Sequence, residues 1–276
     1  MDKVSSIFDK LIINDLMGEE KKTMTTEEFF KFTIDCYNES EGNLDKQDGI
    51  QCKLCKNKGN TQVITGKFYS SYVPCKCMRM RYAVNKAKNS GLGGYLHKTL
   101  SDYKVEADWQ KVCKKATDDY LTKHSEDNTW FMVCGQSGCG KTLLGSIIAN
   151  KLLFDQDREV MYVIWTDFIG EVKRSMMSDK ADAVTDRMID IKNVDVLFLD
   201  EVLKKYNDTD LRYLIEIINY RYTNDKKTII TSEKLMNELI DIEEATFGRA
   251  VEKCAGFVIN IPKDRKKNYR LRSITV

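Results

Sequence analysis

Residues Gly135 to Thr142 read GQSGCGKT, which combines three glycines with a lysine and a threonine at the spacing of a phosphate-binding loop. Polyphosphate carries dense negative charge, and successive backbone N–H groups at a helix N-terminus can approach it only where glycines leave room. We expect Lys141 to reach the β and γ phosphates as a point charge, and Thr142 to offer its hydroxyl to Mg²⁺. The motif therefore predicts a nucleoside triphosphate site, with a chance glycine cluster as the alternative.

A second motif, VLFLDE, covers Val196 to Glu201. Its apolar part predicts a buried strand over Asp195–Leu199, and the end of that strand would deliver two carboxylates to the phosphate site. We expect Asp200 to hold the magnesium ion through water, and Glu201 to orient and deprotonate the water that attacks the γ phosphate. The alternative is an acidic pair that only ends a core strand.

The surrounding pattern predicts the elements that would position both motifs. An apolar run precedes the loop and apolar residues at helical spacing follow it, which is the strand, loop and helix order that the motif requires. In chain order the predicted elements are strand Trp130–Cys134, helix Leu143–Leu153, helix Asp208–Tyr222 with an Asp or Thr cap, strand Lys227–Ser232, helix Ala245–Cys254 and strand Gly256–Ile261. Thr231 or Ser232, at a strand end, could touch the γ phosphate or the attacking water.

Four cysteines nearer the amino terminus form a CxxC and a CxC, namely Cys52 and Cys55, then Cys75 and Cys77. Two close pairs about twenty residues apart suit a tetrahedral zinc ion, and a hairpin predicted around Val63–Tyr69 would close the site. Four thiolates leave no open position on the metal, so we expect a structural site. Four unrelated buried thiols are the alternative. The other cysteines show no pairing and are expected to be packing residues: Cys36, Cys113, Cys134, Cys139 and Cys254.

The length and composition bound the class of protein. The 276 residues are 42% hydrophobic, which is enough for one substantial domain and a smaller one. No apolar stretch approaches the roughly twenty residues of a membrane span, and the start, MDKVSSIFDK, lacks the layout of a signal peptide. We therefore expect a cytoplasmic protein without membrane contact, in which nine cysteines are not a disulfide framework.

Charge is segregated in the first part of the chain. Residues 1–50 hold twelve Asp or Glu against six Lys, whereas residues 51–100 hold ten Lys or Arg and no acidic residue. Such a basic block can be a solvated surface, but its length favours a face for phosphate or for an acidic partner. Two helices are predicted before it, Val4–Met17 and one that a Thr25–Glu28 capping box opens. Either helix could pack on its own domain or dock on a partner.

In chain order, GQSGCGKT, VLFLDE, IITSE, FGRAVEKC and NYRLR resemble the motifs of the AAA+ ATPases in the DnaC and DnaI helicase-loader group, which also includes the transposition ATPase IstB. The resemblance covers about residues 100–276, and the cysteine-bearing front end resembles phage-encoded and Gram-positive loaders. It implies an α/β fold, with a P-loop core of parallel sheet flanked by helices and no C-terminal helical lid. We expect an N-terminal helical and zinc-binding domain at 1–90, a linker at 91–100 and an ATPase domain at 101–276, with the sequence NSGLGG at 89–94 as the hinge between the domains.

The resemblance also implies roles for single residues. Arg249 resembles the arginine finger that reaches a neighbouring subunit's site, where a second positive charge stabilises the transition state. Ser232 resembles the sensor of the γ phosphate, and Arg270 the second sensor arginine. Where relatives often have a second arginine this chain has Lys253, which cannot form the same two-pronged contact. The implied nucleotide contacts are Gly135, Gln136, Ser137, Gly138, Cys139, Gly140, Lys141, Thr142, Leu143, Asp200 and Arg270, and the implied catalytic set is Glu201, Lys141, Arg249 and Ser232.

The function that the resemblance implies is ATP-dependent loading of a replicative, DnaB-type hexameric helicase onto single-stranded DNA. The amino-terminal domain would grip the helicase, while the ATPase domain would assemble with copies of itself through Arg249 and hold the DNA. Two alternatives stay open here. One is an IstB-like transposition helper. A preference for duplex DNA would support this alternative, and binding to a helicase would exclude it. The other is a nucleotide-dependent inhibitor that binds a helicase without loading it, with little DNA-stimulated hydrolysis.

Overall fold

A computed structural model describes residues 24–175 and 181–271. The chain divides into two compact units, with the boundary between Met78 and Arg79. The predicted linker, 91–100, lies within the second unit, and the predicted helix Val4–Met17 lies outside the described residues. In the part of the chain that the structure describes, no helix has the length and apolar character that crossing a membrane requires.

Among the described residues of the first unit, the first helix is α1, Thr26–Glu39, which starts where Thr25 adopts extended backbone angles. The Glu28 backbone N–H donates to Thr25 Oγ1 at 3.3 Å, and the Thr25 N–H donates to Glu28 Oε2 at 2.8 Å. This reciprocal pair confirms the predicted capping box. A short helix, α2, covers Asp45–Asp48.

The described part of the first unit also contains two antiparallel strands, β1 (Asn60–Gly66) and β2 (Tyr69–Pro74). Asn60 pairs with Pro74 at one end and Gly66 with Tyr69 at the turn, so the predicted hairpin is confirmed. A lone two-stranded hairpin is marginally stable in water. Other contacts must therefore hold this unit together.

Helices of the second unit cover most of the segments that showed helical periodicity. Their ranges are α3 (Cys77–Ala87, which spans the boundary between the units), α4 (Asp108–His124), α5 (Lys141–Gln156), α6 (Trp165–Ser175), α7 (Ala181–Asn193), α8 (Asp208–Thr223), α9 (Met236–Ile242) and α10 (Glu244–Lys253). The predicted Asp or Thr cap of α8 is wrong. Asn207 is the cap, because it has the extended backbone and its side chain accepts from the Asp210 N–H at 2.9 Å.

The glycine-containing stretch that was predicted as a hinge forms two helical turns, Lys88–Leu92 and Gly93–Tyr95. Leu92 is fully buried. Ser90 Oγ accepts a hydrogen bond from the Tyr162 backbone N–H at 3.0 Å. This stretch is therefore packed on the sheet of the second unit.

Five parallel strands form that sheet, in the spatial order β4, β5, β6, β3, β7. Their ranges are β3 (Phe131–Gly135), β4 (Val160–Ile164), β5 (Val196–Asp200), β6 (Lys227–Ser232) and β7 (Val258–Ile261). Every residue of β3, β5 and β6 is buried, as expected for a parallel sheet covered by helices on both faces. The sheet and its helices confirm the predicted AAA+ core.

The register of the central strands explains why the two motifs meet. Strand β6 lies between β3 and β5, with Cys134 opposite Ser232 and Leu199 opposite Ile230. The carboxyl ends of all three strands therefore lie at one edge, where ligands bind in open parallel sheets. At that edge the phosphate loop follows β3 and Asp200 ends β5.

Candidate functional site

The phosphate loop joins β3 to α5, and two of its glycines have backbone angles that other residues rarely adopt. Gly138 has φ 77° and Gly140 has φ 88°. A Cβ atom at Gly138 would lie 2.0 Å from Asn268 Oδ1, and one at Gly140 would lie 2.9 Å from Tyr103 Cε2. Glycine is favoured at both positions, because the backbone is left-handed and a side chain there would have to displace Asn268 or Tyr103.

The lysine of the loop is buried against the loop itself. Lys141 Nζ donates to the Gln136 carbonyl at 2.8 Å, and Cys139 Sγ donates to the same oxygen at 2.9 Å. Burial raises the pKa of the Cys139 thiol, so it stays protonated and acts as a packing residue, as predicted. The Lys141 ammonium lies where it could turn toward phosphate oxygens bound by the loop.

Asp200 is almost fully buried, with 3% of its surface exposed, and accepts hydrogen bonds from three hydroxyl groups. Thr142 Oγ1 donates to Asp200 Oδ2 at 2.9 Å and Tyr162 Oη donates to the same oxygen at 2.7 Å. Thr231 Oγ1 donates to Oδ1. All three donors are uncharged, so none neutralises the carboxylate. A buried carboxylate beside a threonine hydroxyl at the loop suits an oxygen-preferring cation such as Mg²⁺.

Glu201 follows at the first residue past β5, in a left-handed conformation with φ 58°. Its backbone N–H donates to Thr231 Oγ1 at 3.2 Å. Its side chain lies 3.3 Å from Lys204 Nζ, which is also 3.3 Å from a Glu233 carboxylate oxygen. Burial alone would lower the pKa of Lys204, but hydrogen bonds to the two carboxylates raise it. Lys204 is therefore a permanent cation between two acidic side chains.

A cavity of about 290 Å³ opens in front of the loop. Loop residues Ser137–Leu143 line one side, and both acidic partners of Lys204 line it as well. The rest of the lining is aromatic and polar: Tyr95, Asp102, Tyr103, Lys104, Trp109, Gln110, Tyr269 and Arg270. Sequence reasoning named Tyr269 as part of a basic tail that could serve DNA, a partner or the nucleotide, but it missed Tyr95, Tyr103 and Trp109, because a single aromatic residue outside a motif cannot be told from a core residue. Their side chains offer stacking surface for a flat ring.

The segment after β7 lies over the loop, where two short turns cover Arg265–Lys267 and Tyr269–Leu271. Gln136 Nε2 donates to the Asp264 carbonyl at 2.6 Å, and the Asp264 N–H donates back to Gln136 Oε1 at 2.7 Å. The Tyr269 N–H donates to the Gly138 carbonyl at 2.9 Å. These bonds place Arg270 at the cavity.

Five of the predicted nucleotide-binding and catalytic residues are not among those that line this cavity, namely Gly135, Gln136, Asp200, Ser232 and Arg249. Ser232 is fully buried, and its hydroxyl donates to the Val202 carbonyl at 2.7 Å; the neighbouring Thr231 is the residue that contacts Asp200. Arg249 lies exposed on α10, and its Nη1 donates to Asn219 Oδ1 at 2.6 Å. The exposed position of Arg249 leaves its guanidinium open to solvent.

The predicted zinc ligands lie together in the first unit. One ligand atom from each of Cys52, Cys55, Cys75 and Cys77 lies within 4.8 Å of all the others. The Cys52–Cys75 and Cys55–Cys77 sulfur distances are 3.7 Å and 3.6 Å. A tetrahedral zinc ion with bonds of about 2.3 Å separates its sulfurs by about 3.8 Å, so the cluster fits that ion. The four cysteines could therefore hold one zinc ion.

Hydrogen bonds in the cluster favour a thiolate at one position. Burial would raise the pKa of the Cys55 thiol, but the Gly59 backbone N–H and the neighbouring cysteines lower it to about 7. Burial raises the pKa of Cys75. Of the remaining cysteines, Cys113, Cys134, Cys139 and Cys254 are buried as predicted, whereas Cys36 is exposed and is not a packing residue.

The strand, loop and helix order, the buried Asp200 and the adjacent Glu201 define a P-loop nucleotide-binding protein with an AAA+ core. A family model described as the bacterial DnaA ATPase domain matches residues 105–252, which is more than half of the chain. The chain therefore belongs to the DnaA and DnaC family of AAA+ ATPases, as its motifs predicted.

Three relatives illustrate the family. YqaM of Bacillus subtilis (strain 168) is 28% identical over 211 residues, or 71% of this chain and 66% of YqaM. The phage-like element PBSX protein XkdC of the same strain is 24% identical over 237 residues, or 81% of this chain and 87% of XkdC. The replicative helicase loader DnaC of Buchnera aphidicola subsp. Acyrthosiphon pisum (strain APS) is 27% identical over 144 residues, or 52% of this chain and 56% of DnaC. The match thus spans just over half of that loader's length.

Proposed function

We propose that this protein is an ATP-dependent loader that delivers a replicative, DnaB-type hexameric helicase to single-stranded DNA in the cytoplasm. The observation that supports it best is the arrangement of Thr142, Asp200 and Glu201 at the phosphate loop, in a chain similar to the helicase loader DnaC. These side chains at the phosphate loop support an activity that ATP controls. The similarity to DnaC favours a helicase as the partner.

ATP would act as a switch between assemblies and not as fuel for processive motion. The loop from Gly135 to Leu143 and Lys141 would bind the phosphates, and Thr142 and Asp200 would hold the magnesium ion, which supplies positive charge to the polyphosphate. Glu201 would act as the base on the attacking water. Hydrolysis would then favour release of the helicase.

Arg249 would complete the site of a neighbouring copy. Its exposed position on α10 supports a role between subunits, because the side chain lies away from the cavity of its own chain. Replacing Arg249 with alanine should reduce ATP turnover in the assembled protein while leaving nucleotide affinity intact. Lys253→Ala, on the same helix, is the matched control and should retain turnover.

The first unit would contact the helicase. Its hairpin exposes large apolar and aromatic side chains, including Tyr69 at 75% and Tyr72 at 60% of their surface. The zinc ion would hold this small unit in shape without taking part in chemistry. Such exposed side chains on a rigid scaffold favour a binding surface.

The test is to mix the purified protein with the replicative helicase of its source organism, with and without ATP and single-stranded DNA. Light scattering then measures the mass of any complex. A defined complex that delivers helicase to DNA supports the loader. A complex that suppresses unwinding would make the protein an inhibitor, and ATP-dependent binding of duplex DNA without helicase binding would make it a transposition helper.

A further inference from the structure

Tyr162, on β4, lies outside all the sequence motifs, yet its hydroxyl reaches the acidic residue of the nucleotide site. Tyr162 Oη donates to Asp200 Oδ2 at 2.7 Å, the oxygen that also accepts from Thr142 Oγ1 at 2.9 Å. Two hydroxyls therefore converge on one carboxylate oxygen. The direction in which Asp200 presents its remaining lone pairs depends on both of them.

The ring of Tyr162 is fixed on several sides. It packs edge-on against Phe198, with ring centroids 5.0 Å apart, and a Cβ atom at Gly91 would lie 3.4 Å from its Cδ1. Ser90 Oγ accepts a hydrogen bond from the Tyr162 backbone N–H. Only 3% of the Tyr162 surface is exposed. A side chain held in this way can fix the orientation of its hydrogen-bond partner.

The phenol of Tyr162 has a single O–H to donate, and the structure directs it to Asp200 Oδ2. The Tyr162 side chain therefore acts on the carboxylate through one defined hydrogen bond.

We propose that Tyr162 is a positioning residue of the magnesium site, which holds the Asp200 carboxylate in the orientation that the ion accompanying ATP requires. The proposal rests on the proposed role of Asp200 in the nucleotide site. Hydrogen-bond partners of metal-binding carboxylates change metal affinity by about 10- to 100-fold when they are removed. Tyr162 thus sets how much Mg²⁺ the site needs, without contacting the nucleotide.

The experiment compares Tyr162→Phe with Tyr120→Phe in the full chain. Tyr120 is also fully buried, and its hydroxyl donates to the Thr129 carbonyl at 2.7 Å, so both variants lose one buried hydrogen bond from the same residue type. Binding of a fluorescent ATP analogue is measured in EDTA and over a Mg²⁺ titration. Thermal unfolding verifies that each variant is folded.

For Tyr162→Phe we expect the wild-type affinity for the ATP analogue in EDTA. The Mg²⁺ midpoint, which is the Mg²⁺ concentration that gives half of the full gain in analogue binding, should rise by about tenfold or more. Tyr120→Phe should keep the wild-type Mg²⁺ midpoint. In an Asp200→Asn background, Tyr162→Phe should have no further effect on that midpoint. An unshifted midpoint in folded Tyr162→Phe, or an equal shift in Tyr120→Phe, would overturn the proposal.

Should Tyr162→Phe fail to fold, Ser90→Ala provides the second variant. Ser90 is partly exposed, and its replacement removes the hydrogen bond to the Tyr162 backbone N–H. We expect a smaller shift of the midpoint in the same direction, and no shift would count against Tyr162. If Mg²⁺ does not change binding of the ATP analogue to the wild-type protein, the magnesium role of Asp200 is contradicted. Wild-type protein that responds to Mg²⁺ but binds no helicase would remove the loader function and leave Tyr162 in place.

Discussion

The two units bury very different amounts of apolar surface. Among the described residues of the first unit, 24–78, the buried apolar side chains are Ile34, Cys55 and Cys75. The second unit instead has a continuous core that includes Trp130, Trp165, Phe168 and Leu199. Two of these three buried apolar side chains thus belong to the four-cysteine cluster.

This difference indicates what each unit needs in order to fold. Burial of apolar surface contributes roughly 25 cal/mol per Å², so a sheet covered by helices can be stable through packing alone. Three buried apolar side chains among residues 24–78 offset little conformational entropy in that way. We infer that the first unit depends on its metal and that the second does not.

The largest effect is expected from replacing Cys52 and Cys55 together with serine. The protein should lose about one zinc ion per chain, since structural zinc sites need all their thiolates. Because metal binding of such sites supplies about 10 kcal/mol or more, the first unit should unfold while the second stays folded. Metal analysis and limited proteolysis measure both changes.

Cys36→Ser is the control for that experiment, because Cys36 lies in the same unit but is exposed and outside the cluster. It should keep the zinc. A parent protein without zinc, or a double variant that keeps a protease-resistant first unit, would contradict the inferred dependence on metal.

Glu201→Gln should lower ATP turnover by about 10²- to 10⁴-fold, because the amide cannot accept the proton of the attacking water. ATP affinity and zinc content should stay at parental values. Glu233→Gln is the matched variant, since Glu233 also lines the cavity and also pairs with Lys204. A phosphate-release assay in which Glu233→Gln shows the larger loss would assign the base to Glu233.

Lys141→Ala should weaken ATP binding by about 100-fold, which corresponds to about 2.7 kcal/mol. The physical reason is the loss of the loop's own cation. Isothermal titration of an ATP analogue measures the loss. Lys151→Ala, on the exposed part of the same helix, should bind normally; equal affinity of the two variants would argue against the phosphate role of Lys141.

The smallest effect compares one helix cap from each unit. Thr25→Ala and Asn207→Ala each remove a side chain that caps a helix, at a cost of about 1 kcal/mol. With zinc present, hydrogen exchange should report local losses of similar size. After zinc removal only the Thr25 variant should show a further increase in hydrogen exchange, since its unit would have little remaining stability. Equal increases in both variants would contradict the inferred difference between the units.

Local sequence was sufficient for the elements that carry the motifs. Strand Lys227–Ser232 has the predicted bounds, and the cysteine spacing alone identified the four sulfurs that meet. These features depend on residues close together in the chain. Periodicity, turn residues and spacing therefore contain the necessary information.

Contacts between strands could not be predicted from local sequence. Thr231 and Ser232 are adjacent hydroxyl residues at a strand end, and neighbouring side chains in a strand point to opposite faces. Only the pairing of β6 with β5 places Thr231 beside Asp200. Likewise, Asn207, Asp208 and Thr209 can all cap a helix, and the loop before them determines which one has the extended backbone.

A glycine in α5 has an evolutionary consequence. A Cβ atom at Gly145 would lie 2.4 Å from Phe198 Cζ, and Phe198 in turn packs against the Tyr162 ring. The space for the phenylalanine therefore exists only because position 145 has no side chain. In diverged sequences of the family, positions 145 and 198 should change together, a larger residue at the first accompanying a smaller one at the second.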